Sequence, residues 1–236
     1  VWQGGMTGGT GTADVLTGKI SPSGKLTDTI AYNISDYPSS SDFGSITRNF
    51  YCEDIYVGYR WFETFAKEKV RYPFGFGLSY TEFEVKTIAV NENDGAVKLK
   101  FCVRNNGAYS GKEVVQVYYE APQGKLGKPS RALCGFVKTE KLAPDESQEL
   151  EISVKLDDLA SYDDSGASGY RFSYVLESGD YNFYVGTDVR SAQQVFTFNL
   201  PETKEVKKCV QAMAPVIPFS RIRPELTPDG FKAVKE

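Results

Sequence analysis

From about residue 81 onward, apolar side chains fall on alternate positions. Val97, Leu99, Phe101 and Val103 form one such run, and Leu150, Ile152, Val154 and Leu156 a second. Tyr170, Phe172, Tyr174 and Leu176 give a third, and Tyr181, Phe183 and Val185 a fourth. A period of two puts every second side chain on one face, so each run reads as a strand with a single buried face. Turn-forming stretches separate the runs: NENDG, NNGAYSG, APDES and ESGD. About seven short strands spaced this way predict an immunoglobulin-like β-sandwich over residues 81–200. The Cys…Trp…Cys spacing of antibody-type domains is missing.

The chain before residue 81 is patterned differently. Residues 1–36 read as the end of an α/β domain, with Val1 and Trp2 closing a buried strand. A helix is expected to start near Gly11, capped by Thr10, with Ala13, Val15 and Leu16 facing a core. Gly18 suits the left-handed position that ends it, and LTDTIAYNI follows as extended chain. Residues 37–80 are rich in Tyr, Phe, Gly and Pro without a clean period. Such a segment wraps across other elements, and Phe74, Phe76 and Tyr80 are expected to cover the seam with the sandwich. In residues 201–236, ETKEVKKCVQAM reads as a short helix and the remainder as a Pro-rich extended connector.

The opening stretch VWQGGMTGGTGTADVLTG invites a nucleotide-binding reading that its spacing does not support. Gly4 and Gly9 have P-loop separation, but Thr10 stands where the lysine must be. Gly9 and Gly11 begin a dinucleotide fingerprint, but Asp14 occupies the next required glycine position. The glycines therefore read as a tight turn, placed where an open α/β sheet meets its ligand.

Composition narrows the chemistry further. A length of 236 residues allows one large or two modest domains. A formal net charge of -4 offers no electrostatic case for nucleic acid or an anionic membrane surface. Histidine is absent, which removes every Ser-His or Cys-His mechanism from this chain. Cys52, Cys102, Cys134 and Cys209 lack C-x-x-C spacing, so neither a zinc site nor another metal or cofactor is expected. Cys102 and Cys134 lie in apolar runs and read as small buried hydrophobes. Scattered thiols fit a reducing compartment, the cytoplasm.

Five stretches carry a resemblance: TADVLTGKISPSGKL, YCEDIYVGYRWFET, YPFGFGLSYTEFE, VRNNGAYSGKEVVQVYY and SGDYNFYVG. In order and spacing they resemble the C-terminal half of β-glucosidase-type family 3 glycoside hydrolases, over residues 1 to about 200. The resemblance implies an α/β remnant followed by a fibronectin type III-like sandwich. It also implies retaining hydrolysis of terminal, non-reducing β-D-glucosyl residues from a glucoside or short oligosaccharide. In that family the nucleophilic aspartate comes from a (β/α)8 barrel and the acid/base glutamate from the α/β domain. Neither motif stands in this chain, so no catalytic residue is expected here and the barrel is the missing partner. CVQAMAPVIPFSRIRPEL resembles the connector of members with inverted module order, which places the barrel after Glu236.

Retaining hydrolysis uses two carboxyl groups about 5–5.5 Å apart. The acids of this chain read otherwise. Asp14 reads as a solvent-facing or first-turn helix acid, and Glu53 with Arg60 as a structural ion pair pinning the wrapping segment. Asp157, Asp158, Asp163 and Asp164 read as solvated surface. Trp2, Gln3 and Met6 are the candidates for a substrate rim, because aromatic faces pack on sugar C–H faces and amides bond hydroxyls. The competing reading makes Trp2 a core residue. At the level of the whole chain, the rival is a stand-alone carbohydrate-binding or adhesion sandwich without hydrolase activity.

Overall fold

The computed structural model describes residues 4–228 and 230–235. Trp2 and Gln3 lie outside the described residues, as does the strand end expected at Val1 and Trp2. Helix α1 spans Gly8–Leu16 and starts after Thr7, earlier than the Thr10 cap predicts. The N–H of Gly11 already donates to Thr7 O at 3.0 Å, which places Thr10 inside the helix. No residue of α1 is buried, and Leu16 is 77% exposed. The apolar stripe is present but meets no element of this chain. Gly18 does end the helix as expected, at φ +74 and with its N–H on Val15 O at 3.0 Å.

The extended stretch that follows supplies only a two-residue strand, β1 (Ile30–Ala31), paired antiparallel with β2 (Val70–Tyr72). Between them the chain wraps around helix α2 (Tyr59–Phe65). Phe62, Ala66 and Val70 form a small core there, and the Tyr37 ring meets Phe62 edge-on at 5.2 Å.

Seven strands build the sandwich: β3 (Phe83–Asn93), β4 (Ala96–Asn105), β5 (Val114–Glu120), β6 (Ala132–Lys138), β7 (Ser147–Lys155) and, after two short strands, β10 (Gly179–Gly186) and β11 (Gln193–Leu200). The short strands are β8 (Ser161–Asp163) and β9 (Ser173–Leu176). One sheet has the order β3-β4-β7 and the other β11-β10-β5-β6, all neighbours antiparallel. Val97, Leu99, Phe101 and Val103 point from β4 into the core, facing Val115, Val117, Tyr181 and Phe183 from the other sheet. The two residues that turn β3 into β4, Asp94 and Gly95, both have positive φ, as the twist of a tight hairpin requires.

The third alternating run breaks the prediction. Only Ser173–Leu176 is strand, and its buried positions are Ser173, Val175 and Leu176, with Tyr174 turned outward. Phe172 sits at φ +63, so the strand cannot extend back through it and the parity beyond Tyr170 is lost.

Residues 201–236 also depart from expectation. The segment read as a helix is strand β12 (Lys204–Lys208), which pairs with β9 and completes a small sheet of order β12-β9-β8. The supposed connector ends in a hairpin, β13 (Ile222–Thr227) and β14 (Gly230–Lys235), that returns to the wrapping segment. Ile222 is buried and donates its N–H to Cys52 O at 2.7 Å, while Phe219 packs on Phe50 at 5.7 Å between centroids.

Aromatic rings fill the seam between the N-terminal part and the sandwich. Phe74 stacks on Tyr59 at 4.4 Å and packs beside Tyr118 and Val189. Phe76 lies 5.2 Å from Tyr72, and Tyr80 donates its hydroxyl to Val15 O at 2.7 Å.

Candidate functional site

The buried acids come first, because an acid/base pair would have to be drawn from groups able to exchange protons. Glu63, Asp163 and Glu177 are the buried acids among the described residues. Glu63 accepts Arg190 Nε at 3.0 Å. Glu177 accepts the buried Lys128 ammonium and the N–H of Lys125 at 2.7 Å. Asp163, expected to be solvated, is fully buried. Its Oδ1 takes the N–H and hydroxyl of Ser165, each at 3.0 Å, and the N–H of Gly166 at 2.7 Å. Its Oδ2 takes the N–H and hydroxyl of Ser168 at 2.8 and 2.6 Å. Burial alone would raise this carboxyl, but the Ser168, Gly166 and Ser165 donors outweigh it and hold the pKa at about 2. Each of these acids is thus fixed by structural partners.

The other acids are reassigned or confirmed by position. Glu53 and Arg60 form no ion pair. Asp54 is the pinning carboxylate, reached by Arg221 at 3.3 Å and Arg223 at 3.4 Å from the C-terminal hairpin. Asp54 occupies a left-handed turn at φ +52 that aims it at this hairpin, a partner invisible to local sequence reading. Arg60 instead lies over the Tyr59 ring at 5.9 Å. Asp14 sits in the last turn of α1, where a negative charge opposes the helix dipole, and Lys19 offsets it at 3.0 Å. Asp157 makes an exposed pair with Lys204, and Asp164 a partly buried one with Arg221 at 2.8 Å. Among the described residues no cluster of three or more Cys, Asp or Glu side chains could hold a metal ion.

Of the proposed rim residues only Met6 is described, and it is fully exposed. The stretch from Gly5 into the first turns of α1 has a distinctive property. A Cβ placed on Gly5, Gly8, Gly9 or Gly11 would meet no atom of the chain within 4 Å. None of the four has positive φ. Neither sterics nor backbone conformation within the chain calls for glycine there.

The sequence reading passed over a second concavity. Between the C-terminal end of α1 and the sandwich runs a groove of about 870 Å³, walled by residues 16–21 on one side and 109–112 with Lys141 on the other. The loop that forms its far wall is held by Asn105, which is fully buried. Asn105 accepts the Thr81 hydroxyl at 2.6 Å and the Gly107 N–H at 3.1 Å, and donates to Tyr109 O at 2.8 Å and Leu142 O at 3.0 Å. A signal for it existed: Asn105 continues the inward parity of Val97, Leu99, Phe101 and Val103, placing one polar residue on an apolar face.

Comparison with known proteins agrees with this architecture. The glycosyl hydrolase family 3 C-terminal domain matches residues 1–80, and the fibronectin type III-like domain matches residues 113–189. A β-glucosidase of Ruminococcus albus is 58% identical over 94% of this chain and 23% of its own length. β-Glucosidase A of Butyrivibrio fibrisolvens is 44% identical over 91% of this chain and 28% of its own. Among solved structures, a β-glucosidase from Paenibacillus barengoltzii superposes with a TM-score of 0.96 at 50% identity, covering 100% of this chain and 27% of that one. β-Glucosidase 3B from Thermotoga neapolitana, in complex with glucose, gives 0.78 at 40% identity over 87% of this chain and 28% of its own. The chain spans about a quarter of the length of these relatives.

Proposed function

The chain belongs to glycosyl hydrolase family 3, and we propose that it is the non-catalytic, C-terminal-type portion of a retaining β-glucosidase acting on terminal β-D-glucosyl residues. The observation that carries the reading is the state of its buried acids. Glu63, Asp163 and Glu177 each hold fixed structural donors, so the nucleophile and acid/base are assigned to the barrel and to the part of the α/β domain that precedes this chain. The glycines at the start of α1 support the same division of labour. They answer no demand inside the chain, which fits close approach by a neighbouring domain or a sugar. In this reading Trp2, Gln3 and Met6 rim the substrate, and the barrel joins beyond the hairpin that ends at Lys235. The four free thiols fit a cytoplasmic setting.

The test is hydrolysis of an aryl β-glucoside, with an aryl β-xyloside for comparison, by the complete protein containing this chain and by the chain alone. Glucoside cleavage with retained anomeric configuration by the complete protein only is the expected result. Cleavage by the isolated chain would overturn the non-catalytic assignment, and inactivity of a folded complete protein would overturn the enzyme. The sugar-binding rival has one observation in its favour. Tyr162 and Tyr174 face each other across β8 and β9, 5.3 Å apart, with both rings half in solvent.

A further inference from the structure

We propose that the groove between α1 and the sandwich is a binding site for a short saccharide bearing a negative charge. Its volume of about 870 Å³ lies in the range of small-ligand sites, about 300–1,000 Å³. Lys19, Lys112 and Lys141 line it, and no carboxylate does. Asp14 and Glu140 neutralise Lys19 and Lys112 in part, at 3.0 and 3.5 Å, from outside the lining. Lys141 has no hydrogen-bond or ion-pair partner among the described residues. The same holds for the hydroxyls of Tyr109 and Ser110. Two tyrosines, Tyr80 and Tyr109, present rings at the groove with much of their surface in solvent. An ammonium ion, free hydroxyls and aromatic faces together match an anionic sugar better than an acidic peptide, whose backbone would need an edge strand or amide partners.

The walls are positioned by contacts within the chain. Asn105 fixes the Tyr109 carbonyl, and Gly111 exchanges both backbone hydrogen bonds with Leu142 at 3.0 and 2.8 Å. A Cβ at Gly111 would lie 2.9 Å from Thr81 Cγ2 and 3.1 Å from Phe83 Cζ, so glycine is what lets this loop sit so close to β3. On the near wall Tyr80 holds the end of α1, and Ser21 and Ser79 share a hydrogen bond at 2.9 Å. A half-buried ion pair, Lys25 with Glu113 at 2.8 Å, ties the two walls together. Preorganised walls reduce the ordering cost of binding.

The charge has two chemical sources, a uronic carboxylate or a sugar phosphate, and titration calorimetry on the complete protein separates them. The probes are a glucuronosyl-glucose disaccharide, glucose 6-phosphate and neutral cellobiose, each run beside Lys141→Glu and Tyr109→Ala with circular dichroism as the folding check. Cellobiose is also run with hydrolysis blocked at the catalytic nucleophile, so that turnover does not mask binding. Saturable binding of at least one anionic probe is expected, weakened about tenfold or more by each variant and by raised salt. The carboxylate and phosphate arms then name the ligand. Cellobiose binding weakened by the variants as much as anion binding, no saturable binding of either anion, or anion affinity unchanged in both folded variants would overturn the site. Because hydrolysis of the aryl glucoside is read separately, loss of this site and loss of the β-glucosidase reading remain distinct outcomes.

Discussion

Replacing Asp163 by Asn isolates the strongest electrostatic feature of the sandwich. The side chain keeps its shape, but five donors lose their anion and at least one N–H or hydroxyl faces an amide NH2. The carboxyl stands at about 2 in the folded chain against 3.8 for a free aspartate. At about 1.4 kcal/mol per unit, that difference contributes about 2 kcal/mol at neutral pH. Its sign follows from the depressed folded value. The contribution is complete well above the unfolded pKa, falls by about half near pH 3, and is lost as pH drops through about 2. Asp163→Asn should therefore lower the unfolding midpoint of the unit that contains the sandwich by about 4–8 °C at pH 7. Thermal unfolding by near-ultraviolet circular dichroism, repeated from pH 7 to pH 3, reads both effects. The gap between wild type and variant should stay constant down to about pH 5 and then narrow. A gap that is absent at pH 7, or as wide at pH 3 as at pH 7, would show that the loop does not hold an anionic Asp163.

Three further outcomes follow from single contacts. Lys128→Met leaves Glu177 buried with only backbone donors and should destabilise by about 3–5 kcal/mol in urea unfolding; a loss below about 1 kcal/mol would mean that water reaches the pair. Gly75→Ala forces a side chain onto φ +82 and into the Gln116 amide, itself anchored on Thr187 O at 2.6 Å. It should cost about 2–4 kcal/mol, and an unshifted unfolding midpoint would refute the close approach. Burial pushes the Cys134 thiol up to about 12, so only about one molecule in ten thousand is thiolate at pH 8. Iodoacetamide should label Cys134 slowly in the native protein and readily after denaturation, as peptide mass spectrometry will show; rapid native labelling would contradict the raised pKa.

Much of the sandwich was legible because alternation is a local property. Val97 to Val103 and Tyr181 to Val185 needed no knowledge of their partners to be placed inward. The run from Tyr170 failed because a loop elsewhere decides it. Asp163 gathers Ser165, Gly166 and Ser168 around itself, and the chain leaves that loop through Phe172 in a left-handed conformation. The small and hydroxylated residues after Asp163 were a readable sign of a carboxylate capped by its own loop. No comparable sign marked the partners of Asp54. Arg221 and Arg223 stand more than 160 residues away, so sequence proximity pointed to a nearby arginine, Arg60, instead.

The C-terminal hairpin changes how the parts of the chain relate. A connector read as loose would leave the wrapping segment held only by its aromatic seam. Instead Ile222 enters the wrapping segment at Cys52, Arg221 bridges Asp54 to Asp164 of the sandwich loop, and Arg223 adds a second contact to Asp54. One short segment therefore touches both the N-terminal part and the sandwich. Isolated exposed ion pairs contribute little, but this cluster is partly buried, shares carboxylates and surrounds a buried isoleucine. A force on residues beyond Lys235 would thus reach the wrapping segment through Ile222 and Asp54. If a barrel follows there, its position is coupled to the wrapping segment through these same contacts. The hairpin accordingly acts as a clasp between modules, which explains why a segment so rich in proline ends in paired strands.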